Sequence, residues 1–444
     1  MLNYIKITLL SVLSFVLFSC DQQEENYPNI VLILGDDQGY PYFGFMGADY
    51  VYTPNMDELA ESGTLFTQGY VPQNHCRPSL QTLMTGTLPS DYETEVKELM
   101  EAKSISPLNE KDFRHNAMQY FETLPRILSQ YGYTSFQGGK WWEYSFSNGG
   151  FDQGMTVGWT KEDEKGSSWF KKFMGGEGLK LARLTMDPVF EFINENKAKP
   201  FFIWYAPELP HYPFDAPDKY YDIYKNTDFT ESAKRYYANC SWFDDGVGEL
   251  LTFLKDNNEY DNTLFIYVND NGWEQEPYQE FRHDSLRWHN GGDKGKLSVY
   301  DQSFRTPIIF SWKNNISASS QSNSLIHSAD IPATILDLIG VGIPNHFFGK
   351  SYHNVIQNTN TSNRDIIIGM ATQIRSENDM MGEKTEAYWA RTNDWFFKWN
   401  LSRETIELFN MNTDPKNDTD IAEIHPELVT DFIEKIETWK KERR

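Results

Sequence analysis

Five short apolar, β-rich runs recur along this chain, and segments of helical pattern fall between them. They are "NIVLIL" at 29–34, "TSFQGG" at 134–139, "PFFIWYAP" at 200–207, "TLFIYV" at 263–268 and "TPIIFSW" at 306–312. Most are continuous rather than alternating, so they read as strands covered on both faces. "TPNMDELAESG" (53–63) opens on Thr-Pro and stops at Gly, the punctuation of a helix, and "PSLQTLMTG" (78–86) has Pro in a first turn and Gly at its end. "FETLPRILSQYGY", "DPVFEFINEN" and "VGELLTFLKDNNEYDN" each lead into a strand, and "ADIPATILDLIG" follows the last one. Such alternation predicts an α/β fold, a large mostly parallel central sheet with helices on both faces. Sites in these sheets gather at the carboxyl ends of strands.

The texture changes after about residue 345. "EAYWARTNDWFFKWNLSRETIELFNMNTDP" reads as antiparallel strands around a turn. "HPELVTDFIEKIETWKKERR" reads as a closing helix with basic residues in its last turn, where the helix dipole favours them. The main-sheet domain is therefore expected at 29–344 and a smaller α+β subdomain with a short antiparallel sheet at 345–444. "NISASSQSNS" (315–324) reads as a surface loop.

The first residues read as an export signal. Lys6 precedes a mostly apolar stretch, Ile7 to Phe18, too short to cross a bilayer that needs about 20 residues. It ends "VLFSC", which resembles a bacterial lipoprotein leader. That resemblance implies a signal peptide over 1–19, lipid on Cys20, a tether over 20–28, and an exported protein anchored to a bacterial membrane, periplasmic or at the cell surface. In that oxidising setting Cys76 and Cys240 could pair, although no pairing is expected.

A net charge of −24 over 444 residues argues against nucleic acid or an anionic membrane surface as partner. An anionic substrate would need a local cationic site set against the overall field.

Chemistry is concentrated at the strand ends. Asp36 and Asp37 follow the first strand, Asp270 and Asn271 the fourth. Three carboxylates and one amide form a hard all-oxygen set, suited to Ca²⁺ or Mg²⁺ rather than zinc. Cys76 stands two residues before Pro78. A helix start there would turn backbone N–H groups toward it. By residue type alone it could equally be a small buried thiol.

Taken together, "NIVLILGDDQGY", "CRPSLQTLMTG", "GGKWWE" (138–143), "PFFIWYAPELPHYPF", "TLFIYVNDNGW", "GKLSVYDQSFRTPIIF", "DIPATILDLIG" and "ELFNMNTDPKNDTD" resemble, in order from residue 29 to about 420, a type I sulfatase of the alkaline phosphatase superfamily. The resemblance implies that a maturation enzyme oxidises Cys76 to formylglycine, whose hydrate attacks sulfur. It implies Asp36, Asp37, Asp270 and Asn271 as ligands of Ca²⁺, or of Mg²⁺, with residue 76 the fifth. Lys140 would bind the sulfate and the hydrate. His211 and Lys296 would contact the sulfate, and either could protonate the leaving oxygen.

Two positions depart from the usual motifs. Leu80 stands where Cys-x-Pro-Ser-Arg has its arginine, and Trp142 where Gly-Lys-Trp-His has its histidine. The pair resembles a subgroup with Cys-Arg-Pro-Ser-Leu and Lys-Trp-Trp. Arg77 and His75 flank the nucleophile and are expected to compensate, with Arg77 also placed to touch substrate. "FRHDSLRWHNGGDKGK" (281–296) offers His283, Arg287 and His289 as further substrate contacts. The expected activity is cleavage of sulfate esters on a sulfated carbohydrate. A phosphodiester or phosphonate hydrolase of the same superfamily, and an inactive glycan-binding lipoprotein, are the alternatives.

Overall fold

The computed structural model describes residues 27–273, 294–372 and 385–443. The expected leader with Cys20, and the expected substrate contacts His283, Arg287 and His289, lie outside these residues.

Nine strands form the main sheet: β1 (Asn29–Gly35), β2 (Thr64–Tyr70), β3 (Thr134–Gly139), β4 (Gln153–Gly154), β5 (Phe201–Ala206), β6 (Thr263–Asn269), β7 (Arg305–Ser311), β8 (Ser320–Ser322) and β9 (Ile326–His327). The order is β4-β3-β5-β1-β6-β7-β2-β8, with β9 also on β2. The five predicted strands are β1, β3, β5, β6 and β7. β1 lies at the centre, parallel to both β5 and β6.

Side chains of one strand alternate between faces, and here both faces are apolar. Ile30, Leu32, Phe202, Trp204, Leu264 and Ile266 pack into one cluster. Val31, Ile33, Ile203, Tyr205, Phe265 and Tyr267 pack into the other. The first cluster is closed by helices Cys76–Thr85, Leu124–Ser129 and Asp330–Leu338, the second by helices Pro54–Glu61, Asp187–Asn196 and Glu231–Asp256. Each fully buried aliphatic side chain contributes about 1.5–3 kcal/mol. A charge at Ile203, 0% exposed, would therefore disrupt the centre of the molecule.

One strand runs against the rest. β7 is antiparallel to both β6 and β2. The cause is where the chain re-enters. Lys296 N bonds Trp273 O at 2.8 Å, and Gly272 N bonds Ser303 O at 2.9 Å. β7 thus starts from the edge where β6 ended and must run back. Continuous apolar patterning cannot reveal that direction. The stretch read as a surface loop at 315–324 contains β8, whose middle residue is exposed.

The second sheet is antiparallel, in the order β10 (Ile367–Thr372), β11 (Thr385–Arg391), β12 (Trp395–Asn400) and β13 (Thr405–Asn410). Trp389, Phe396 and Phe409 on one face pack with Tyr70 and Phe304 of the main body. Phe397 and Leu408 on the other face meet Phe432 and Ile436 of the closing helix Pro426–Lys441. Arg391 crosses the junction: its Nε donates to Tyr70 Oη at 2.8 Å, and Tyr70 Oη donates to Asp301 at 2.7 Å. Among the described residues no helix is long and apolar enough to cross a membrane.

Candidate active site

Strand register assembles the site. β1 and β6 pair with Gly35 opposite Asn269. The next residues of each strand, Asp36-Asp37 and Asp270-Asn271, therefore emerge side by side although 234 positions separate Asp36 from Asp270. β3 delivers Lys140 to the same edge, because Gly139 pairs with Ala206 and Lys140 N bonds Ala206 O at 2.6 Å. Gly139 has φ +95°, and a Cβ there would lie 1.9 Å from Ala206 O. Only glycine lets the chain turn this tightly.

Cys76 comes from β2's side. It is the first residue of helix Cys76–Thr85, with His75 extended as the N-cap. The helix thus starts two residues before the expected Pro78, which occupies the third position, where a missing N–H costs no helical bond. All ten residues of this helix are buried. Cys76 and Cys240 are both free and buried.

The side chains converge. Lys140 Nζ donates to Asp36 Oδ1 at 2.5 Å and to Cys76 Sγ at 3.1 Å, and lies 3.7 Å from Asp270 Oδ2. Lys296 Nζ donates to Asp37 Oδ2 at 2.7 Å, and His211 Nε2 lies 3.5 Å from the same oxygen. Asn271 Nδ2 donates to Asp37 Oδ1 at 2.6 Å. Asp37 itself sits at φ +65°, uncommon for a non-glycine residue. Tyr236 Oη holds that turn, donating to Asp37 O at 3.0 Å and accepting from Gly39 N at 3.2 Å.

The charge is unevenly shared. Burial alone would push Asp37 up, but Lys296, then His211 and Lys140, outweigh it and hold the carboxyl well below its usual range. Burial, followed by the neighbouring Asp36, pushes Asp270 up to about 7. The Lys140 ammonium is disfavoured by burial, yet Asp36, Cys76 and Asp270 raise its pKa well above the ordinary value. Burial and then Asp270 raise the Cys76 thiol well above its ordinary range, against Lys140 and Lys296. Unmodified Cys76 is therefore a neutral thiol and a poor nucleophile.

This donor set fits a hard divalent cation. One ligand atom from each of Asp36, Asp37, Cys76 and Asp270 lies within 4.8 Å of the others. Asp36 Oδ2, Asp270 Oδ2 and Asn271 Oδ1 are buried without a hydrogen-bond partner. Buried oxygens are seldom left so, and a cation would satisfy all three while relieving the repulsion that raises Asp270.

A cavity of about 280 Å³ opens over Cys76, lined by His75, Arg77, Trp142, His211 and Lys296 among others. The two departures from the motifs are filled by packing. Leu80 and Trp142 are each 5% exposed and belong to one apolar cluster. Phe173 and Phe170 meet the Trp142 ring edge-on, at 4.9 and 6.0 Å, and Lys140 Nζ lies 5.5 Å from its centroid.

The flanking residues have other engagements. Arg77 borders the cavity, but its Nε and Nη2 donate to Glu143 at 2.8 and 2.9 Å, and Nη2 also to Arg114 O at 3.0 Å. Its charge is committed to an internal pair rather than held out for a substrate anion. Glu143 also accepts from Gln81 Nε2 at 3.0 Å, so it ties the helix of Cys76 to the loop of Lys140. His75 Nε2 meets Thr372 Oγ1 at 2.6 Å. Burial, then Lys296, depresses its pKa to about 3.

Three features escaped the sequence reading. Glu143 stands directly after the Lys-Trp-Trp segment, and its carboxylate is the partner a buried Arg77 requires. Arg183 donates to the carbonyls of Glu208 at 2.8 Å and His211 at 3.0 Å, and Asn239 Nδ2 adds Pro213 O at 3.1 Å. Together they hold the loop that presents His211. The apolar rim of the cavity comes partly from "WFKKFM" (169–174), whose Phe170 and Met174 sit four apart on one helix face.

Comparison with known proteins bears on this geometry. The family described as "Sulfatase" matches residues 28–341, and the one described as "N-sulphoglucosamine sulphohydrolase, C-terminal" matches residues 292–442. An arylsulfatase of Clostridium perfringens is 24% identical, covering 92% of this chain and 93% of its own length. An ulvan-active sulfatase of Formosa agariphila is 25% identical over 78% of this chain, which spans 61% of that longer protein. A protein solved in complex with its substrate D-glucosamine-2-N,6-O-disulfate superposes with a TM-score of 0.72 at 18% identity, covering 94% of this chain and 98% of that one. That last likeness is one of fold.

Proposed function

The chain belongs to the sulfatase family of sulfuric ester hydrolases, and from that premise we propose that it removes sulfate from a sulfated carbohydrate with residue 76 as its nucleophile after oxidation to formylglycine. The observation that carries this reading is the contact of Lys140 Nζ with both Asp36 Oδ1, at 2.5 Å, and Cys76 Sγ, at 3.1 Å. Sγ stands in for the oxygen that a formylglycine hydrate would place there.

Asp36, Asp37, Asp270 and Asn271, with residue 76, would hold Ca²⁺, or Mg²⁺ as the alternative. Such a cation supplies Lewis-acid stabilisation of a sulfuryl oxygen and of an ionised hydrate. A hydrate at 76 supplies the oxygen nucleophile that the neutral thiol is not, and a way to release sulfate without water attacking sulfur.

The other roles belong to side chains already in place. Lys140, charged and buried, offsets the negative charge that gathers on the nucleophile and the sulfate. Lys296 and His211, beside Asp37 and on the cavity wall, offset the outer sulfate oxygens. Either can pass a proton to the departing sugar oxygen. The apolar shell around Trp142 lowers the polarity beside the reacting centre, which strengthens each of these electrostatic contributions.

The carbohydrate assignment takes support from the ulvan-active relative and from an exported, lipid-anchored reading of the leader. In it Cys20 carries lipid outside the cytoplasm, a maturation enzyme acts on Cys76, and His283, Arg287 and His289 meet anionic groups of the glycan.

Peptide mass spectrometry across Cys76, after co-expression with a formylglycine-generating enzyme, tests the nucleophile. Unmodified cysteine under conditions that mature a control sulfatase would sink it. Parallel assays on an aryl sulfate and on phosphodiester and phosphonate esters test the reaction. Faster turnover of a phosphorus ester would replace the sulfatase reading with the alternative hydrolase. Glycan binding without any turnover would replace it with the inactive lipoprotein.

A further inference from the structure

We propose that Arg183 and Asn239, neither of which lines the cavity, are positioning residues that set His211 against Asp37 and so govern whatever His211 contributes to turnover. The inference rests on the sulfatase reading, in which His211 faces the sulfate, and adds to it the residues that place that side chain.

The loop that carries His211 is poorly equipped to hold itself. It runs from the end of β5 to helix Asp218–Tyr224, and four of its eleven residues, Pro207, Pro210, Pro213 and Pro217, are proline. Proline fixes φ but offers no N–H. The loop is therefore short of donors for its own carbonyls, which must be satisfied from outside.

Two side chains reach in to do so. Arg183 stands on the turn before helix Asp187–Asn196. Its Nε donates to Glu208 O at 2.8 Å, its Nη2 to His211 O at 3.0 Å and Pro213 O at 3.4 Å, and its Nη1 to Asp215 Oδ1 at 2.6 Å. Asn239 Nδ2 donates to the carbonyls of Pro210, His211 and Pro213 at 3.4, 3.4 and 3.1 Å, while its Oδ1 accepts from Ala216 N at 3.1 Å. The carbonyls of His211 and Pro213 are thus reached by both. Lysine at 183 would keep the charge but not the planar fork of five donors, so it could not span these acceptors together.

The donors share a support with the metal-side carboxylate. The Arg183 guanidinium lies 5.3 Å from the centroid of the Trp242 ring. Asn239 and Trp242 follow Tyr236 at intervals of three along helix Glu231–Asp256, neighbours on one side of it. Tyr236 clasps the turn of Asp37. One helix therefore holds the Asp37 turn directly and the His211 loop through Asn239 and Arg183. The 3.5 Å between His211 Nε2 and Asp37 Oδ2 is set from that common element.

The test is steady-state kinetics of the matured, Ca²⁺-loaded protein on 4-nitrophenyl sulfate and phenyl sulfate, two esters that differ in how much the departing oxygen needs a proton. Arg183→Lys should lower kcat/KM by about 10- to 100-fold, as displacing a reacting group by about an ångström does. In a His211→Ala background the same change should cost less than about twofold, because residues acting through one another are not additive. The ratio of rates on the two esters should shift in Arg183→Lys in the direction in which it shifts in His211→Ala. Asn239→Leu keeps the volume, removes the donor and should show the same pattern; it decides the matter if urea unfolding shows the arginine variant unfolded at the assay temperature. An equal loss with and without His211, or wild-type kinetics in both variants, would overturn the inference and leave the sulfatase reading intact. Wild-type kinetics in His211→Ala would overturn the role of His211 and this inference with it. Failure of the wild-type protein to turn over either ester would overturn the parent reading itself.

Discussion

Replacing Glu143 by alanine should destabilise this protein more than removal of most carboxylates would. Glu143 and Arg77 are 3% and 5% exposed and meet through two hydrogen bonds. Truncating the glutamate strands a guanidinium in the interior, which costs about 3–5 kcal/mol. It also removes the acceptor for Gln81, worth about 1 kcal/mol more. A loss of about 4–6 kcal/mol is therefore expected. The double variant Arg77→Met/Glu143→Leu leaves no stranded charge, and well-packed apolar replacement of a buried pair is often near neutral. The two single changes and the double should thus be strongly non-additive, by at least about 3 kcal/mol. Equilibrium urea unfolding of all four proteins measures this directly. A second readout separates stability from positioning. Arg77 follows Cys76 by one residue, and Glu143 follows Lys140 by three, so the pair helps to set the 3.1 Å between Sγ and Nζ. The double variant should recover stability but not the full rate on an aryl sulfate. The reasoning is refuted if Glu143→Ala lies within about 1 kcal/mol of wild type, or if the cycle is additive.

Tyr236→Phe removes the hydroxyl that clasps Asp37 O and Gly39 N, and calorimetric titration should show Ca²⁺ affinity weakened about 10- to 100-fold; unchanged affinity would show that the turn holds itself. Chelation should lower the unfolding midpoint, and Ca²⁺ at a hundredfold its Kd should restore about 2.7 kcal/mol, whereas an identical midpoint with and without the ion would contradict the site. Asp244 accepts hydrogen bonds from Asn55 N and Met56 N at the start of helix Pro54–Glu61, and burial pushes it up to about 7 in spite of them. The folded state therefore holds a proton that the unfolded state releases near pH 4. Its contribution is full below that pH and is lost as pH rises toward 7. Relative to Asp244→Asn, wild type should lose on the order of a few kcal/mol between pH 5 and pH 8, and a pH-independent difference would refute the assignment.

What sequence made legible follows from what periodicity encodes. Continuous apolar runs mark strands buried on both faces, so β1, β5 and β6 were readable, and so were the acids that terminate β1 and β6. Their meeting depends on a parallel register that no local pattern states, and it became foreseeable only through motif order. The reversal of β7 was hidden, because direction leaves no mark on an apolar run. Helix Cys76–Thr85 begins earlier than its proline suggested, since proline is tolerated anywhere in the first turn. Glu143 was missed because a lone glutamate reads as solvated. Its burial depends on Arg77, 66 residues earlier, the arginine that sequence alone placed against substrate and that the structure pairs with Glu143. His283, Arg287 and His289 fall outside the described residues.

The central position of β1 also sets a clock. β1, the first strand among the described residues, is flanked by β5 and β6, whose residues follow roughly 170 and 230 positions later. At about 5–20 residues per second, β1 waits on the order of tens of seconds for its neighbours. Through that interval Asp36 and Asp37 have no companions with which to hold an ion. Cys76, withdrawn to 5% exposure once the sheet is complete, is then still within reach. The proposed oxidation of its sulfur would therefore be expected to act on the nascent chain, before the last strand docks and buries that atom.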